Sequence, residues 1–151
     1  GTVRASVRRH VEVAVDAGRA WAVVGAADVL HLWFPGIASC SVDGDVRTIT
    51  TDSGLTLTEE IVTCDPLQRR FQYRISGGFF AEHLGTLDVI ALGPGRCLVA
   101  YASDADPETM AIVLGGATAG ALEELRRQLE AGEGPALDAV ADRTPNDTGA
   151  T

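Results

Sequence analysis

The stretch PETMAIVLGGATAGALEELRRQLEA, Pro107 to Ala131, decides the fold of this chain. It predicts one long C-terminal helix. Asp106 stands where an N-cap acceptor belongs, Pro107 suits the first helical turn, and Glu108 puts negative charge at the helix start. Gly132 is the stop signal. Met110, Leu114, Ala117, Ala121 and Leu125 recur at three- and four-residue intervals, which is one face of a helix. The two halves differ. From Ala111 to Ala121 there is no charge, and Gly115, Gly116 and Gly120 interrupt the run; from Glu123 to Glu130 charges alternate around Leu125 and Leu129. A glycine inside a helix costs roughly 1 kcal/mol relative to alanine. The glycine-rich half therefore points to a close neighbour: a sheet, a partner or a ligand. Close packing on a sheet is the simplest of the three.

Upstream of this helix the chain reads as strands. Val7 to Val15 alternates, with Val7, Arg9, Val11, Val13 and Val15 on one side. Asp16 is placed to cap a short helix over Ala17–Val24 that Gly25 ends. Asp28 is placed to cap a second, running to about Trp33, which Pro35 and Gly36 stop. Strands are then expected over Ile37–Val42, Val46–Thr51, Leu55–Cys64, Arg69–Ile75, Glu82–Leu92 and Arg96–Ser103, joined by short turns rich in Gly, Asp and Pro. Strands in close succession make an antiparallel meander. The expected fold class is α+β: a curved seven-stranded antiparallel sheet around a long C-terminal helix, with two short helices after the first strand. Such an arrangement leaves a concave, mostly apolar space between sheet and helix, the default binding site. Residues 1–131 form the expected single domain. Residues 132–151, rich in Gly, Pro, Asp and Thr, read as a flexible tail with at most one short helix around Ala136–Ala141.

Composition narrows the function classes. The 151 residues suit one domain with a sizeable core. The formal net charge of -9 argues against a nucleic-acid partner, which needs clustered cations. No apolar run is long enough to span a bilayer. No signal-like segment precedes the first strand, so a cytoplasmic location is expected. All twelve cationic side chains are arginine. Without lysine there is no side-chain amine for a Schiff base. Cys40, Cys64 and Cys97 are far apart and read as buried free thiols of a reducing compartment. His10, His31 and His83 are scattered, and no His/Cys group has metal-ligand spacing, so neither metal nor other cofactor is expected.

Several stretches stand out: Val13-Ala-Val-Asp-Ala-Gly-Arg-Ala-Trp21, Leu32-Trp-Phe-Pro35, and Leu57-Thr-Glu-Glu-Ile61 leading to Asp65. Arg70-Phe-Gln-Tyr-Arg-Ile75, His83-Leu-Gly-Thr-Leu-Asp-Val89, Val99-Ala-Tyr101 and Leu122-Glu-Glu-Leu125 complete the set. Together they resemble the SRPBCC superfamily, the START, polyketide cyclase and Bet v 1-like helix-grip proteins. The likeness runs from about Arg9 to Glu130 and is greatest to small bacterial members. No single stretch is specific; their order and spacing are. The resemblance implies a sheet gripping the C-terminal helix around a cavity for apolar ligands. It does not fix an activity, since members include lipid carriers, hormone receptors, aromatase/cyclases and co-chaperones. Those bacterial relatives often carry Glu-Arg at Glu59-Glu60 and Tyr at His83. The Gly-rich loop and reactive lysine of some plant relatives are missing, which puts their amine-condensation chemistry in doubt here.

Candidate site residues follow from the faces. Glu59 shares a strand face with Leu55, Leu57 and Ile61. If that face is inward, a buried carboxylate with a raised pKa suits acid/base work; the alternatives are pairing with an arginine or a bulge that turns it outward. His83, after the Gly-rich loop, is the other candidate proton carrier, or else an ordinary strand-end histidine. Tyr73 and Tyr101 are placed to hydrogen-bond a ligand oxygen, though packing alone would justify both. Trp33, Phe34, Phe79 and Phe80 are expected at the cavity mouth, with Gly77 and Gly78 letting the Phe79–Phe80 loop act as a gate. Leu57 belongs to the sheet wall, and Met110, Leu114 and Ala117 to the helix wall. Three functions compete. The first is a carrier or sensor of a small apolar molecule, lipid or polyketide-like, acting as monomer or homodimer. The second is an aromatase/cyclase or dehydratase in which Glu59 or His83 moves a proton, which requires both to face one cavity. The third is a co-chaperone-like module with a filled core and an apolar surface patch. The scarcity of polar groups favours the first.

Overall fold

The computed structural model describes residues 3–143. Its elements are β1 (Ala5–Val13), α1 (Ala17–Val24), a 3-10 helix (Ala27–Leu32), β2 (Ile37–Asp43), β3 (Val46–Thr51), β4 (Thr56–Asp65), β5 (Arg70–Ile75), β6 (Glu82–Ala91), β7 (Cys97–Asp106), α2 (Glu108–Ala131) and α3 (Pro135–Val140). The strands form one antiparallel sheet in the order β1-β7-β6-β5-β4-β3-β2. Strands β2 to β7 are the expected meander, and β1 closes onto β7. Register shifts between Ile37 and Ser39 and between Ile61 and Thr63 are the local irregularities that bend such a sheet.

Alternation decides which side chains turn inward. Phe71, Tyr73 and Ile75 of β5, Leu87 and Val89 of β6, and Val99 and Tyr101 of β7 are all buried. Trp21, Val24, Leu30 and Trp33 pack into the same core from the elbow of α1 and the 3-10 helix. Gly85 lies opposite Tyr73 in the β5–β6 ladder. A Cβ there would come within 2.5 Å of the Tyr73 ring, so the glycine makes room for the phenol to lie across its neighbour strand.

Helix α2 packs on β1 and β7. Its buried face in the glycine-rich half is Ala111, Gly115 and Thr118, rotated by about one residue from the predicted stripe. Met110 and Leu114 are only half-buried, and Ala117 is exposed. The reason is close approach. A Cβ on Gly115 would lie 2.8 Å from Val7 Cγ1 and 3.2 Å from Arg9 Nη2. The helix sits on β1 through its smallest side, which leaves Leu114 and Ala117 facing the space beyond. Gly116 and Gly120 have nothing within 4 Å of an added Cβ, so close packing accounts for one glycine of the three.

Three expected caps differ from the structure. Asp106 is the last residue of β7, and Pro107 holds the N-cap position of α2 in an extended conformation, with no side-chain cap. Asp16 does precede α1, but its Oδ1 accepts the Gly95 N–H at 2.6 Å and so ties the β6–β7 turn to the helix. Asp28 lies inside the first turn of the 3-10 helix, where it receives both guanidinium nitrogens of Arg143 at 2.8 Å. Gly132 ends α2 in the left-handed conformation, as expected. The short C-terminal helix is α3, and the Ala136 N–H donates to the buried Gln128 Oε1 at 3.0 Å. Residues 132–143 thus dock on the domain. The rest of the stretch read as a tail, 144–151, lies outside the described residues.

The glycines give a direct test of this packing. Gly120→Ala should raise stability by about 0.5–1 kcal/mol through helix propensity. Gly115→Ala should gain nothing or lose about 1–2 kcal/mol, because overpacking against Val7 offsets the same propensity gain. Urea denaturation of the two variants reads the difference.

Candidate ligand-binding cavity

Between the inner sheet face and α2 lies a cavity of about 220 Å³. Ile49, Leu57, Tyr73 and Tyr101 come from the sheet, Leu114 and Ala117 from α2, and Leu30 and Phe34 from the elbow. The lining residues that are exposed, Pro35, Gly36 and Ala117, mark where it opens. The mouth therefore lies between the loop after the 3-10 helix and the glycine-rich half of α2. The walls are almost wholly apolar.

The polar groups gather at one place. Arg47 and Glu59 are cross-strand partners in the β3–β4 ladder, both turned inward and each only 2% exposed. Arg47 Nε donates to Glu59 Oε1 at 2.6 Å, and Nη1 donates to the Ala27 carbonyl at 3.1 Å. The guanidinium lies 4.9 Å from the Tyr73 ring centroid and 5.2 Å from that of Phe71. Its Nη2 is buried without a partner among the described residues. Burial pushes the Glu59 carboxyl above its ordinary value, while the Arg47 charge and hydrogen bond pull it back. Burial works against the Arg47 charge too, but Glu59 holds the guanidinium above its usual value. Beside the pair, the hydroxyls of Tyr73 and Tyr101 hydrogen-bond to each other. Burial raises the pKa of both phenols, so both keep their protons at neutral pH.

Of the residues expected at the site, Phe34, Leu57, Glu59 and Tyr73 line this cavity, as do Tyr101, Leu114 and Ala117. Five do not. Trp33 is buried in the core beneath the elbow. Phe79 is 59% exposed on its loop. Phe80 packs edge-on against His83 with ring centroids 5.0 Å apart, so the loop anchors a core histidine and does not form the cavity mouth. Met110 is half-buried and does not line the cavity, because α2 is rotated onto β1. His83 is buried between Tyr73 and Phe80, directly behind the lining residues Tyr73 and Ile75 and not itself among them. Its Nδ1 accepts the Ile75 N–H at 3.0 Å, which leaves the ring proton on Nε2. Burial, with a contribution from Arg74 and against the pull of Asp104, lowers its pKa to about 4. The pairing of Glu59 and His83 across one cavity, which the proton-transfer reading required, is therefore not present. Sequence reasoning does not single out Arg47. The available signal was its alternation with Ile49 in a short strand directly before the one carrying Glu59.

Among the described residues no group of His, Cys, Asp and Glu is arranged to hold a metal, and no helix is long and apolar enough to cross a membrane. A curved antiparallel sheet wrapped around a C-terminal helix, with a cavity between them, defines the helix-grip class of START-like proteins. Residues 4–130 match the family described as polyketide cyclase/dehydrase and lipid transport, and the chain belongs to that family. No curated protein matches it in sequence. Among solved structures, the protein XoxI from Bacillus cereus has a TM-score of 0.77 at 22% identity, over 82% of this chain and 94% of that one. Norcoclaurine synthase from Thalictrum flavum, in complex with dopamine and hydroxybenzaldehyde, has a TM-score of 0.70 at 20% identity, over 89% and 91%. A START superfamily protein from Mycobacterium smegmatis has a TM-score of 0.66 at 17% identity, over 85% and 96%. At these identities the likeness is one of fold.

Two tests follow from the buried polar groups. Arg47→Met leaves the Glu59 charge alone in the core and should cost roughly 3–5 kcal/mol, while Arg47→Met/Glu59→Leu together should cost less than the single change. Chemical denaturation of both variants measures this. For His83 the sign runs toward acid lability. The unfolded chain takes up the proton near pH 6.5 and the folded chain only near pH 4, so stability is complete above 6.5 and lost as pH falls toward 4. The loss is on the order of 3 kcal/mol. His83→Gln, which keeps an acceptor for Ile75, should remove that component from the stability-against-pH curve.

Proposed function

We propose that this protein binds a small apolar molecule in the cavity between sheet and α2, as a carrier or sensor. The observation that carries the reading is the cavity itself, with apolar walls and one polar corner. Its size limits the ligand. Pockets for drug-sized ligands run to roughly 300–1,000 Å³, and a dry apolar cavity of about 150 Å³ accepts benzene. At about 220 Å³ the space suits a single substituted ring or a short branched chain.

The cyclase or dehydratase reading draws support from Glu59, a carboxylate on the cavity wall. It is the weaker of the two, because Glu59 is held by Arg47 and no second proton carrier of matched pKa stands opposite. The co-chaperone reading draws on the exposed Ile112 and Val113 of α2, but expects a filled core. The three free thiols favour a reducing, cytoplasmic setting.

The test is a titration with toluene followed by amide chemical shifts. Saturable shifts at Leu57, Tyr73, Tyr101 and Ala117, with a Kd below about 1 mM, are expected. Ala117→Trp, which fills the mouth from an exposed helix position, should weaken binding about tenfold or more. Shifts that never saturate, or that are unchanged in Ala117→Trp, would exclude this site.

A further inference from the structure

Toward the cavity the polar corner offers an unused donor and an unused acceptor; the unpartnered Arg47 Nη2 lies outside the lining. Two phenol hydroxyls share one hydrogen bond, which consumes one proton of the two. The other proton has no assigned acceptor. Glu59 Oε1 receives Arg47 Nε, whereas Glu59 Oε2 accepts from no group among the described residues. Glu59 nevertheless lines the cavity, as do both tyrosines. Arg47, stacked over Tyr73 and bonded to Glu59, fixes the carboxylate beside the phenols. Within an otherwise apolar enclosure, one donor and one acceptor face the same small volume.

Resting on the reading that this cavity takes a small apolar ligand, we infer that the ligand is a neutral, compact phenol or alcohol. Its hydroxyl donates to Glu59 Oε2 and accepts from the Tyr73–Tyr101 hydroxyl pair. Alternatives satisfy less of the corner. A ketone, aldehyde or ether accepts from the tyrosines but leaves the carboxylate oxygen buried without a donor, at the cost of its desolvation. A hydrocarbon leaves both unsatisfied. A carboxylate meets the like charge of Glu59, and an ammonium meets the guanidinium of Arg47 and a tyrosine proton it cannot accept. A hydroxyl is the smallest neutral group that both donates and accepts. Sites that hydrogen-bond a ligand hydroxyl reject the analogue lacking it far more strongly than apolar walls reject one extra methyl.

The test is calorimetric titration of the full chain with p-cresol, p-xylene and 4-methylanisole, which are close in size. In a purely apolar cavity p-xylene binds best, because a hydroxyl loses water without replacement. We expect p-cresol to bind about 10- to 100-fold tighter than p-xylene, as a pair of hydrogen bonds including one to a charged group requires. 4-Methylanisole, which accepts but cannot donate, should fall well short of p-cresol. Tyr73→Phe/Tyr101→Phe keeps both rings and alters no charge. It should reduce the preference for p-cresol over p-xylene at least several-fold. Equal binding of p-cresol and p-xylene, or a preference undiminished in the double variant, overturns the hydroxyl assignment and leaves the cavity reading standing. If no probe binds, the cavity reading fails, and this inference fails with it.

Discussion

The Arg47–Glu59 ion pair is the interaction on which the interior is arranged. It spans β3 and β4 at the inner face, reaches the Ala27 carbonyl of the 3-10 helix, and stacks on Phe71 and Tyr73 of β5. One guanidinium thereby holds three strands and the elbow in register. Two ions taken out of water lose several kcal/mol each of hydration, and their attraction recovers this only with good geometry and further hydrogen bonds. Here the recovery is incomplete, since Arg47 Nη2 has no partner among the described residues. A core selected for stability alone would fill this position with aliphatic side chains. The pair makes better physical sense as a fixed polar element at the edge of a binding space.

The second constraint is the seating of α2. Gly115 lets the helix backbone approach β1 until Val7 and Arg9 occupy the place of a side chain. The same seating turns Leu114 and Ala117 away from the strand and toward the cavity. At its other end α2 is fixed differently. Glu130 Oε2 accepts the Ala14 N–H at 2.9 Å, and Gln128 joins Leu32 and Ala136 through its amide. Its C-terminal half is thus tied by specific hydrogen bonds and by Leu122, Leu125 and Leu129, while its N-terminal half rests on small side chains. A helix held firmly at one end and lightly at the other can adjust its lightly held half to a ligand at modest cost.

The sheet was legible because alternation and turn residues report strands directly, and Val46–Thr51 and Ala17–Val24 match their expected bounds. The cavity wall was legible for the same reason. Leu57, Glu59, Tyr73 and Tyr101 occupy inward positions of strands whose period fixes their direction. What failed depended on distance between elements. Periodicity names a helix face but cannot rotate it onto a strand, and so it points to Met110 and passes over Ala111. The cap at Asp106 failed because β7 continues through that residue, a tertiary pairing with Glu82 that local propensity does not record. His83 was placed inward correctly, but inward is not the same as facing the cavity. The Phe80 ring and the Ile75 amide enclose it within the wall.

The remaining question is why a small domain would keep such a space. An apolar space left unfilled forfeits the dispersion contacts that its lining side chains would otherwise make. The chain could close it with modest changes, since Ala117 on the helix wall and Thr51 on the sheet wall have room to grow. Instead the enlargeable positions stand at the mouth and wall, and the one region built with charge lies at the polar corner. Apolar walls alone would accept any hydrocarbon of the right size. The buried pair beside two phenols adds orientation and chemical discrimination, which a merely imperfect core has no use for. A packing defect gives no reason for a carboxylate and two phenols to line the same space, whereas a site that takes up a ligand with a polar group does.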